Sequence, residues 1–301
     1  MVNKIAITIG IPAYNEAGGI KRLLESIQKQ SSRNFSLVEL VVISDGSNDT
    51  TVTEALSSKI PTLKVVNGRK RLGKRKRLNN IFKNFKGEVL VLLDADITFS
   101  NNFVLEEIIK KFQSSEKVML VSANSYPSAP SAFTDHAIFS AINVYLFSRD
   151  KIKEGNNIYG CTGACLGLRR MFAQNIQIPD IISDDDYLYL ICISKGYEFK
   201  YAKNAKVEYR LPKNIKDYVR QVFRSTPRAT KQDMGKIFGK LLQSEFTRPK
   251  RIVFIGIAKA LLENPVGVLY ISIVRLACLP FYRYYSSNFK LDWFTAKSTR
   301  I

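Results

Sequence analysis

The sequence predicts an α/β protein built on a largely parallel sheet. Short apolar runs without alternation, typical of strands buried on both faces of a sheet, alternate with stretches that carry apolar residues at helical spacing. Two of the runs end in clusters of acidic residues, and open α/β sheets bind ligands at the carboxyl ends of their strands. We therefore expect right-handed crossovers, helices on both faces and a ligand site along one edge of the sheet.

The predicted elements follow each other regularly. The predicted strands cover residues 5–11, 37–43, 63–66, 89–93 and 118–121, and the predicted helices begin near residue 17 and cover residues 50–58, 78–85 and 102–112. The first helix is typical, because its apolar residues recur every three or four positions at Ile20, Leu23, Leu24 and Ile27. Further along, residues 126–145 are aromatic and loosely helical, and residues 214–225 form an amphipathic helix that Asn214 caps.

The strand at 89–93 leads into two aspartates, Asp94 and Asp96. Alternate residues of an extended chain point the same way, so both carboxylates can face one site. They repel each other unless a cation or a donor lies between them, and a hard divalent cation takes oxygen ligands that it shares with substrate phosphates. A carboxylate-rich turn without a ligand is the alternative, because Asp is common in turns.

Positive charge is concentrated in two parts of the chain, which carries a net charge of +20. Seven basic residues lie between Arg69 and Arg77, and residues 200–301 hold 21 Lys and Arg against 6 Asp and Glu. The first run leads into a helix and predicts a phosphate-binding loop, with a solvated basic face or a nucleic-acid patch as alternatives. The second suits anionic lipid, nucleic acid or phosphorylated substrates.

Segments at 12–16, 44–47, 73–79 and 94–96 resemble, in order and spacing, a family 2 glycosyltransferase of the GT-A fold. The resemblance implies a Rossmann-like, mixed but mainly parallel sheet in a catalytic domain of residues 1–228. It also implies that Asp96 holds Mg²⁺ or Mn²⁺ against the diphosphate of a nucleoside-diphosphate sugar. The residues that it assigns to the donor are Pro12, Tyr14, Glu16, Asp45, Lys74 and Asp94.

The same resemblance continues to about residue 228. Residues 160–168 resemble the segment beside the sugar site, although close strand packing would also explain their small side chains. Ser183, Asp184 and Asp185 match a Thr-Glu-Asp motif, which implies catalytic roles for Asp184 and Asp185, with Asp185 as the general base. An ordinary helix start would also favour these residues. Gln221 and Arg224 match a Gln-x-x-Arg-Trp motif at the donor, with Ser225 where Trp is expected.

Residues 229–301 are predicted to be a basic, apolar, helical region. Residues 252–282 are mostly apolar but interrupted by charges, including Arg275, and 265–282 is short for a membrane span. Two helices in the membrane interface are preferred, with a re-entrant or single spanning helix, or a helical cap on the catalytic core, as alternatives. Arg248, Lys250, Arg251 and Arg283 are expected at headgroup level, and Tyr282, Tyr284, Tyr285 and Trp293 in an aromatic belt.

The four cysteines are expected to be reduced, mostly buried thiols, which indicates a cytosolic active site. Together with the C-terminal region, this predicts a location at the cytoplasmic face of the cell membrane. The expected function is inverting, metal-dependent sugar transfer to a hydroxyl or phosphate acceptor, lipid-linked or glycan, without a nucleic-acid partner. A nucleotidyltransferase of related fold is an alternative, but it would need a Gly-rich loop after the first strand. A basic membrane- or nucleic-acid-binding protein with an inactive site is the other alternative.

Overall fold

The computed structural model describes residues 4–181, 183–224 and 227–281. The strands are β1 Ile5–Ala13, β2 Phe35–Ser44, β3 Leu63–Asn67, β4 Val89–Leu93, β5 Ile97–Phe99, β6 Val118–Pro127, β7 Cys165–Arg169 and β8 Glu198–Tyr209. The helices are α1 Ala17–Gln28, α2 Thr51–Leu56, α3 Lys74–Asn84, α4 Val104–Gln113, α5 Phe133–Lys151, α6 Arg170–Gln174, α7 Asp184–Ser194, α8 Ile215–Arg224, α9 Pro227–Glu245, α10 Lys250–Glu263 and α11 Pro265–Cys278.

These strands form one mixed sheet in the order β3-β2-β1-β4-β7-β6-β8-β5. The half formed by β3, β2, β1 and β4 is parallel. Strand β7 is antiparallel to both of its neighbours, so its amino end lies beside the carboxyl end of β4, where Cys165 pairs with Leu93. The predicted mixed, mainly parallel sheet is confirmed, and the reversal at β7 brings a loop into the strand edge that carries Asp94.

The core explains why β4 reads as a continuous apolar run. Val89, Val91 and Leu93 pack with α1 and α4 on one face of the sheet, whereas Leu90 and Leu92 pack with α3, α6 and α7 on the other. Every residue of this strand is buried. Helices therefore cover both faces of the sheet, as predicted.

Helix α3 begins at Lys74, so the prediction that it begins at residue 78 was wrong. Gly73 precedes it with a φ of 92°, in the left-handed region that favours glycine. Lys and Arg are good helix formers, so the basic residues after Gly73 form the first turn instead of a loop. As a result Lys74, at the start of the helix, points toward the carboxyl edge of the sheet.

A third apolar cluster joins α5, α8 and α11 through Ile138, Tyr218 and Ile271. Asn214 accepts a hydrogen bond from the backbone N–H of Asp217 at 2.9 Å, as predicted for the cap of α8. Helices α10 and α11 both pack against α5. Helix α9, which lies beyond the domain boundary predicted at residue 228, contributes Met234, among others, to the same core as α7.

The predicted pair of C-terminal helices is present as α10 and α11. Among the helices that the structure describes, none is both long and apolar enough to cross a membrane. Arg275, which interrupts the apolar sequence of α11, donates a hydrogen bond from Nε to the hydroxyl of Tyr218 on α8 at 2.8 Å. The predicted aromatic belt and Arg283 lie outside the described residues.

Candidate active site

A lysine between two carboxylates forms the centre of the site. Lys74 Nζ lies 2.6 Å from Asp94 Oδ1 and 3.4 Å from Asp184 Oδ2. Asp94 follows β4, Asp184 begins α7 and Lys74 begins α3, so three separate elements meet at this cation. All three side chains are mostly buried, and together with Pro12 they line one small cavity. Four of the predicted site residues are thus brought together.

Asp185 is held by donors on both of its carboxylate oxygens. Oδ1 accepts from the Ser183 hydroxyl at 2.6 Å and from the backbone N–H of Asp186 at 3.0 Å, and Oδ2 accepts from the backbone N–H of Gly163 at 3.0 Å. Ser183 is the N-cap residue of α7, but its hydroxyl bonds this carboxylate and not a helix N–H, so an ordinary side-chain cap does not explain the serine. The serine orients a carboxylate at the edge of the site.

Burial and the charges of neighbouring side chains shift the pKa values of Asp185, Asp94 and Lys74. Burial, together with the neighbouring Asp184, raises the pKa of Asp185 above its ordinary value, although Ser183 and Lys74 oppose the rise. Burial also raises the pKa of Asp94 against the effect of Lys74. For Lys74 burial is outweighed by Asp184 and Asp94, which raise its pKa, so it remains a cation. A carboxylate with a raised pKa is a better proton acceptor than an ordinary one.

Asp96 lies at the same strand end but outside this network. It is half-buried, and among the described residues no side chain forms an ion pair or a hydrogen bond with its carboxylate. No group of three or more acidic, histidine or cysteine side chains that could hold a metal is found in the described part of the chain. Mg²⁺ is often held by only one or two carboxylates plus substrate phosphates, so Asp96 fits a metal that a diphosphate helps to bind.

Two arginines lie close to Asp96. Burial and the charge of Arg210 lower the pKa of Arg22 on α1, whereas the nearby Glu16 and Asp96 oppose this. Ile97 of β5 pairs with Tyr209 of β8, so Asp96 and Arg210 each lie one residue beyond that pair. The strand edge therefore carries alternating acidic and basic groups.

The basic segment is tied to Asp45. This carboxylate is fully buried and accepts from the backbone N–H groups of Leu72 and Gly73, both at 2.8 Å, and from Nε of Arg77 at 2.6 Å. The guanidinium of Arg77 also donates to the carbonyl of Lys70 at 2.7 Å. Asp45, assigned to the nucleoside, thus also fixes the path of the chain into α3.

The first loop lies against the turn after β2. The backbone N–H of Asn15 donates to the Ser47 hydroxyl at 3.1 Å, and that of the buried Glu16 donates to the Thr51 hydroxyl at 2.7 Å. The guanidinium carbon of Arg71 lies 4.1 Å from the ring centre of Tyr14. This cation–aromatic pair joins the loop after β1 to the basic segment before α3.

The remaining predicted residues lie on α8. Gln221 is half-buried, on the helix that packs through Tyr218 and Val222 against α5 and α11. The side chain of Arg224 lies outside what the structure describes. The structure therefore places the helix but not the predicted contact of Arg224 with a diphosphate.

Sequence reasoning missed several supporting residues. Gly163, within the small-residue stretch 160–168, would place an added Cβ 3.4 Å from Lys74 Nζ and 3.7 Å from Asp185 Oδ2. Gly19 of α1 would place one only 2.6 Å from the carbonyl oxygen of Ala95. The small-residue pattern was a signal for the first, whereas the close approach of α1 to the Asp94–Asp96 turn has no local signal.

The family model of glycosyl transferase family 2 matches residues 8–177, more than half of the chain. The chain belongs to glycosyl transferase family 2. The predicted resemblance is thus confirmed over the strands and turns that carry Asp45, Lys74, Asp94 and Asp96.

Individual relatives are similar over different lengths. A UDP-Glc:alpha-D-GlcNAc-diphosphoundecaprenol beta-1,3-glucosyltransferase, WfaP, of Escherichia coli is 27% identical over 68% of this chain and 77% of its own. A putative glycosyltransferase, CsbB, of Bacillus subtilis is 28% identical over 39% of this chain and 36% of its own. Like CsbB, other curated relatives are matched over only about a third of their length, 32% and 35% in two of them.

The fold is also similar to a solved structure. The mannosyltransferase PcManGT from Pyrobaculum calidifontis, in complex with GDP-Man and Mn²⁺, aligns with a TM-score of 0.62 at 18% identity, over 94% of this chain and 84% of that one. This likeness confirms the predicted GT-A type of fold.

Proposed function

We propose that the protein is an inverting, metal-dependent glycosyltransferase that moves a sugar from a nucleoside-diphosphate sugar to a hydroxyl of a lipid-linked acceptor. The observation that carries the proposal is the cation of Lys74 held between Asp94 and Asp184, with Asp185 beside it. A fixed positive charge suits the diphosphate that leaves, and a carboxylate with a raised pKa suits the proton that is removed.

The reaction divides between the two sides of this cavity. On the α7 side, Asp185 accepts the proton of the acceptor hydroxyl, and the oxygen of that hydroxyl forms a bond to the anomeric carbon of the donor sugar. The bond from that carbon to the diphosphate breaks, and Lys74 stabilises the charge that the leaving oxygen acquires. A divalent cation, when bound, would neutralise diphosphate charge at Asp96. Inversion follows from a single displacement with base and leaving group on opposite sides of the sugar.

The relatives support both substrates. PcManGT was solved with GDP-Man and Mn²⁺, and the name of WfaP gives a UDP-sugar donor and a diphosphoundecaprenol-linked acceptor. The basic segment that Asp45 anchors leads into α3 at the carboxyl edge of the sheet, where we place the donor, and its charge suits a phosphorylated ligand. A lipid-linked acceptor also agrees with the surface of the C-terminal helices.

An exposed apolar surface on α10 and α11, which we call the apolar ridge, supports the expected membrane association. Several of its side chains are more than half exposed: Phe254, Leu262, Val266, Leu269, Ile273 and Leu276. Lys250 and Arg251 are exposed at the start of α10, whereas Arg248 packs over the ring of Tyr159. Apolar residues flanked by cations suit the interface of an anionic bilayer, which would place the site on the cytoplasmic face.

Donor turnover tests the catalytic part of the proposal. The full chain is incubated with a panel of UDP- and GDP-sugars, with and without Mn²⁺, and release of the nucleoside diphosphate is measured. We expect release from at least one donor that depends on the metal and is abolished in Asp96→Asn. Asp185→Asn should retain nucleotide binding and lose transfer. Absence of turnover, with nucleotide binding intact, would favour an inactive-site binding protein.

Vesicle sedimentation tests the membrane part. We expect the protein to sediment with phosphatidylglycerol vesicles and high salt to release only part of it, because salt screens charge but not apolar insertion. Replacing Phe254 and Leu262 by serine should reduce binding by about tenfold or more, since each buried side chain contributes roughly 2 kcal/mol. Leu56→Ser, at an exposed leucine of α2, is the control. Equal binding by all variants would rule out the apolar ridge.

A further inference from the structure

The structure has a second cavity, and among the described residues none lines both it and the cavity of Lys74, Asp94 and Asp184. Residues 128–131, between β6 and α5, form one wall, and Arg210 with Lys213, between β8 and α8, forms the other. The cavity is open and measures about 180 Å³. Polar residues line both walls, together with Ala129, Pro130 and Leu211, and nothing in the mechanism proposed above uses this cavity. We call it the basic cleft.

Charge in the basic cleft is positive. Among the described residues that line it, Asp135 is the acidic one, but it is buried and its carboxylate accepts from the backbone N–H groups of Ser131 and Ala132 at 2.9 and 2.6 Å. Burial opposes its ionisation, yet these hydrogen bonds lower its pKa overall, so it serves as the local cap of α5. Arg210 and Lys213 are the cationic residues among the described residues of its lining.

The register of the sheet places the basic cleft next to the reaction centre. Arg210 follows Tyr209, which pairs with Ile97 on one side and with Pro127 on the other. Residue 128 and Asp96 therefore lie level with Arg210, each one residue past a paired position. A group bound in the basic cleft is close to the strand end of Asp96 but outside the cavity of Lys74, Asp94 and Asp184.

We propose that the basic cleft binds the phosphate or diphosphate that joins the acceptor sugar to its lipid. This inference rests on the proposed function and names the acceptor class of the same site. An acceptor sugar would lie at Asp185 while its anionic linkage lies between Arg210 and Lys213. The lipid would then leave along α5, against which α10 and α11 and their apolar ridge pack.

Two soluble probes that differ only in the linkage test the proposal. One is N-acetylglucosamine joined through a diphosphate to a ten-carbon isoprenoid chain, and the other is the same sugar on the same chain without phosphate. Affinities are measured with the full chain in the presence of Mn²⁺ and whichever of UDP or GDP raises its melting temperature. We expect the diphosphate probe to bind at least tenfold more tightly.

The variants assign that preference to the basic cleft. Lys213→Gln and Arg210→Gln should each weaken the diphosphate probe about tenfold or more, as expected for loss of a charged hydrogen bond, and should change the phosphate-free probe less than twofold. Lys213 is exposed, so its variant tests the site without endangering the fold. Arg33→Gln, at an exposed arginine near the amino end of β2, removes the same charge and should have no effect.

Other results would overturn the inference. Equal affinity of the wild type for both probes, including no binding of either, would exclude a phosphate subsite. If the two substitutions weakened nucleotide binding and binding of the diphosphate probe equally, Arg210 and Lys213 would belong to the donor site. Weaker binding of phosphatidylglycerol vesicles with unchanged probe affinity would assign them to phospholipid headgroups. Failure of the proposed function is seen separately, as the absence of donor turnover in the wild type.

Discussion

Replacing Lys74 by methionine tests the centre of the site most directly. Methionine keeps an unbranched chain of similar length but removes the charge that lies 2.6 Å from Asp94 and 3.4 Å from Asp184. The two carboxylates would then lie in a mostly buried site without their counter-ion. We expect a loss of stability and of nucleotide binding together, because one cation serves both.

The size of the stability loss follows from the geometry. Unit charges about 4 Å apart attract by roughly 4 kcal/mol at an effective dielectric constant of about 20, and removal of one partner from a buried pair costs about 3–5 kcal/mol. The side chains of Lys74, Asp94 and Asp184 keep 17%, 29% and 18% exposure, so solvent screening reduces this cost. We expect about 2 kcal/mol, or roughly 4 °C in melting temperature for a chain of this size.

The loss should depend on pH with a defined sign. Without Lys74, the pKa of Asp94, which burial already raises, rises further above that of the unfolded chain. A carboxyl whose pKa is raised by folding stabilises the protein below its unfolded pKa, and this stabilisation is lost as pH rises through the folded value. The difference between Lys74→Met and wild type should therefore be largest near pH 7 and shrink toward about pH 4.

Urea and thermal unfolding measure these effects, with Lys76→Met as the matched control. Lys76 lies on the same helix but is exposed, and its replacement should change stability by less than about 0.5 kcal/mol. In an Asp184→Asn background, Lys74→Met should cost less, by about 1 kcal/mol. If Lys74→Met were as stable as Lys76→Met at pH 7, or if the two substitutions were additive, the charge network would not be what holds the site together.

Three further predictions concern neighbouring residues. Asp184→Asn should shift the fall of the transfer rate on the acid side to lower pH, since it removes a charge that raises the pKa of Asp185. An unchanged pH dependence of the rate would argue against Asp185 as the base. Gly19→Ala should destabilise by about 1–3 kcal/mol and weaken Mn²⁺-dependent nucleotide binding, because its Cβ meets the Ala95 carbonyl, whereas Gly18→Ala, at an exposed helical position, should not. Asp45→Asn should cost about 2–4 kcal/mol in urea unfolding, because buried donors lose a charged acceptor; wild-type stability would show that the donors find other partners.

The site residues that the sequence predicts best are those that belong to a local pattern of neighbouring residues. The apolar run of β4 and the two aspartates after it place Asp94 and Asp96 without further information. Strands β5 and β8 were not predicted. β5 has only three residues, Ile97–Phe99, and it pairs with a strand more than 100 residues later. Strand β5 is too short to show a pattern, whereas β8 alternates apolar and polar residues at Phe199, Tyr201, Ala205, Val207 and Tyr209 and could have been recognised as a strand.

Contacts between distant segments were likewise beyond prediction. The bonds from Leu72, Gly73 and Arg77 to Asp45 join the turn after β2 to the start of α3. A motif indicates that an aspartate is present in that turn but not which donors its buried carboxylate meets. Arg275 shows the same limit, since its place in an apolar sequence does not reveal the Tyr218 hydroxyl that receives its hydrogen bond.

The antiparallel strand β7 has a consequence for how this enzyme could change its preferences. Because β6 ends and β7 begins at the same edge of the sheet, the chain between Pro127 and Cys165 leaves that edge and returns to it. This excursion contains α5, on which α10 and α11 rest, and it ends at Gly163 beside Asp185. It could be exchanged as one cassette without altering the register of any strand pair. Under the proposed function, such an exchange would alter the acceptor side and leave the parallel half of the sheet, formed by β3, β2, β1 and β4, unchanged.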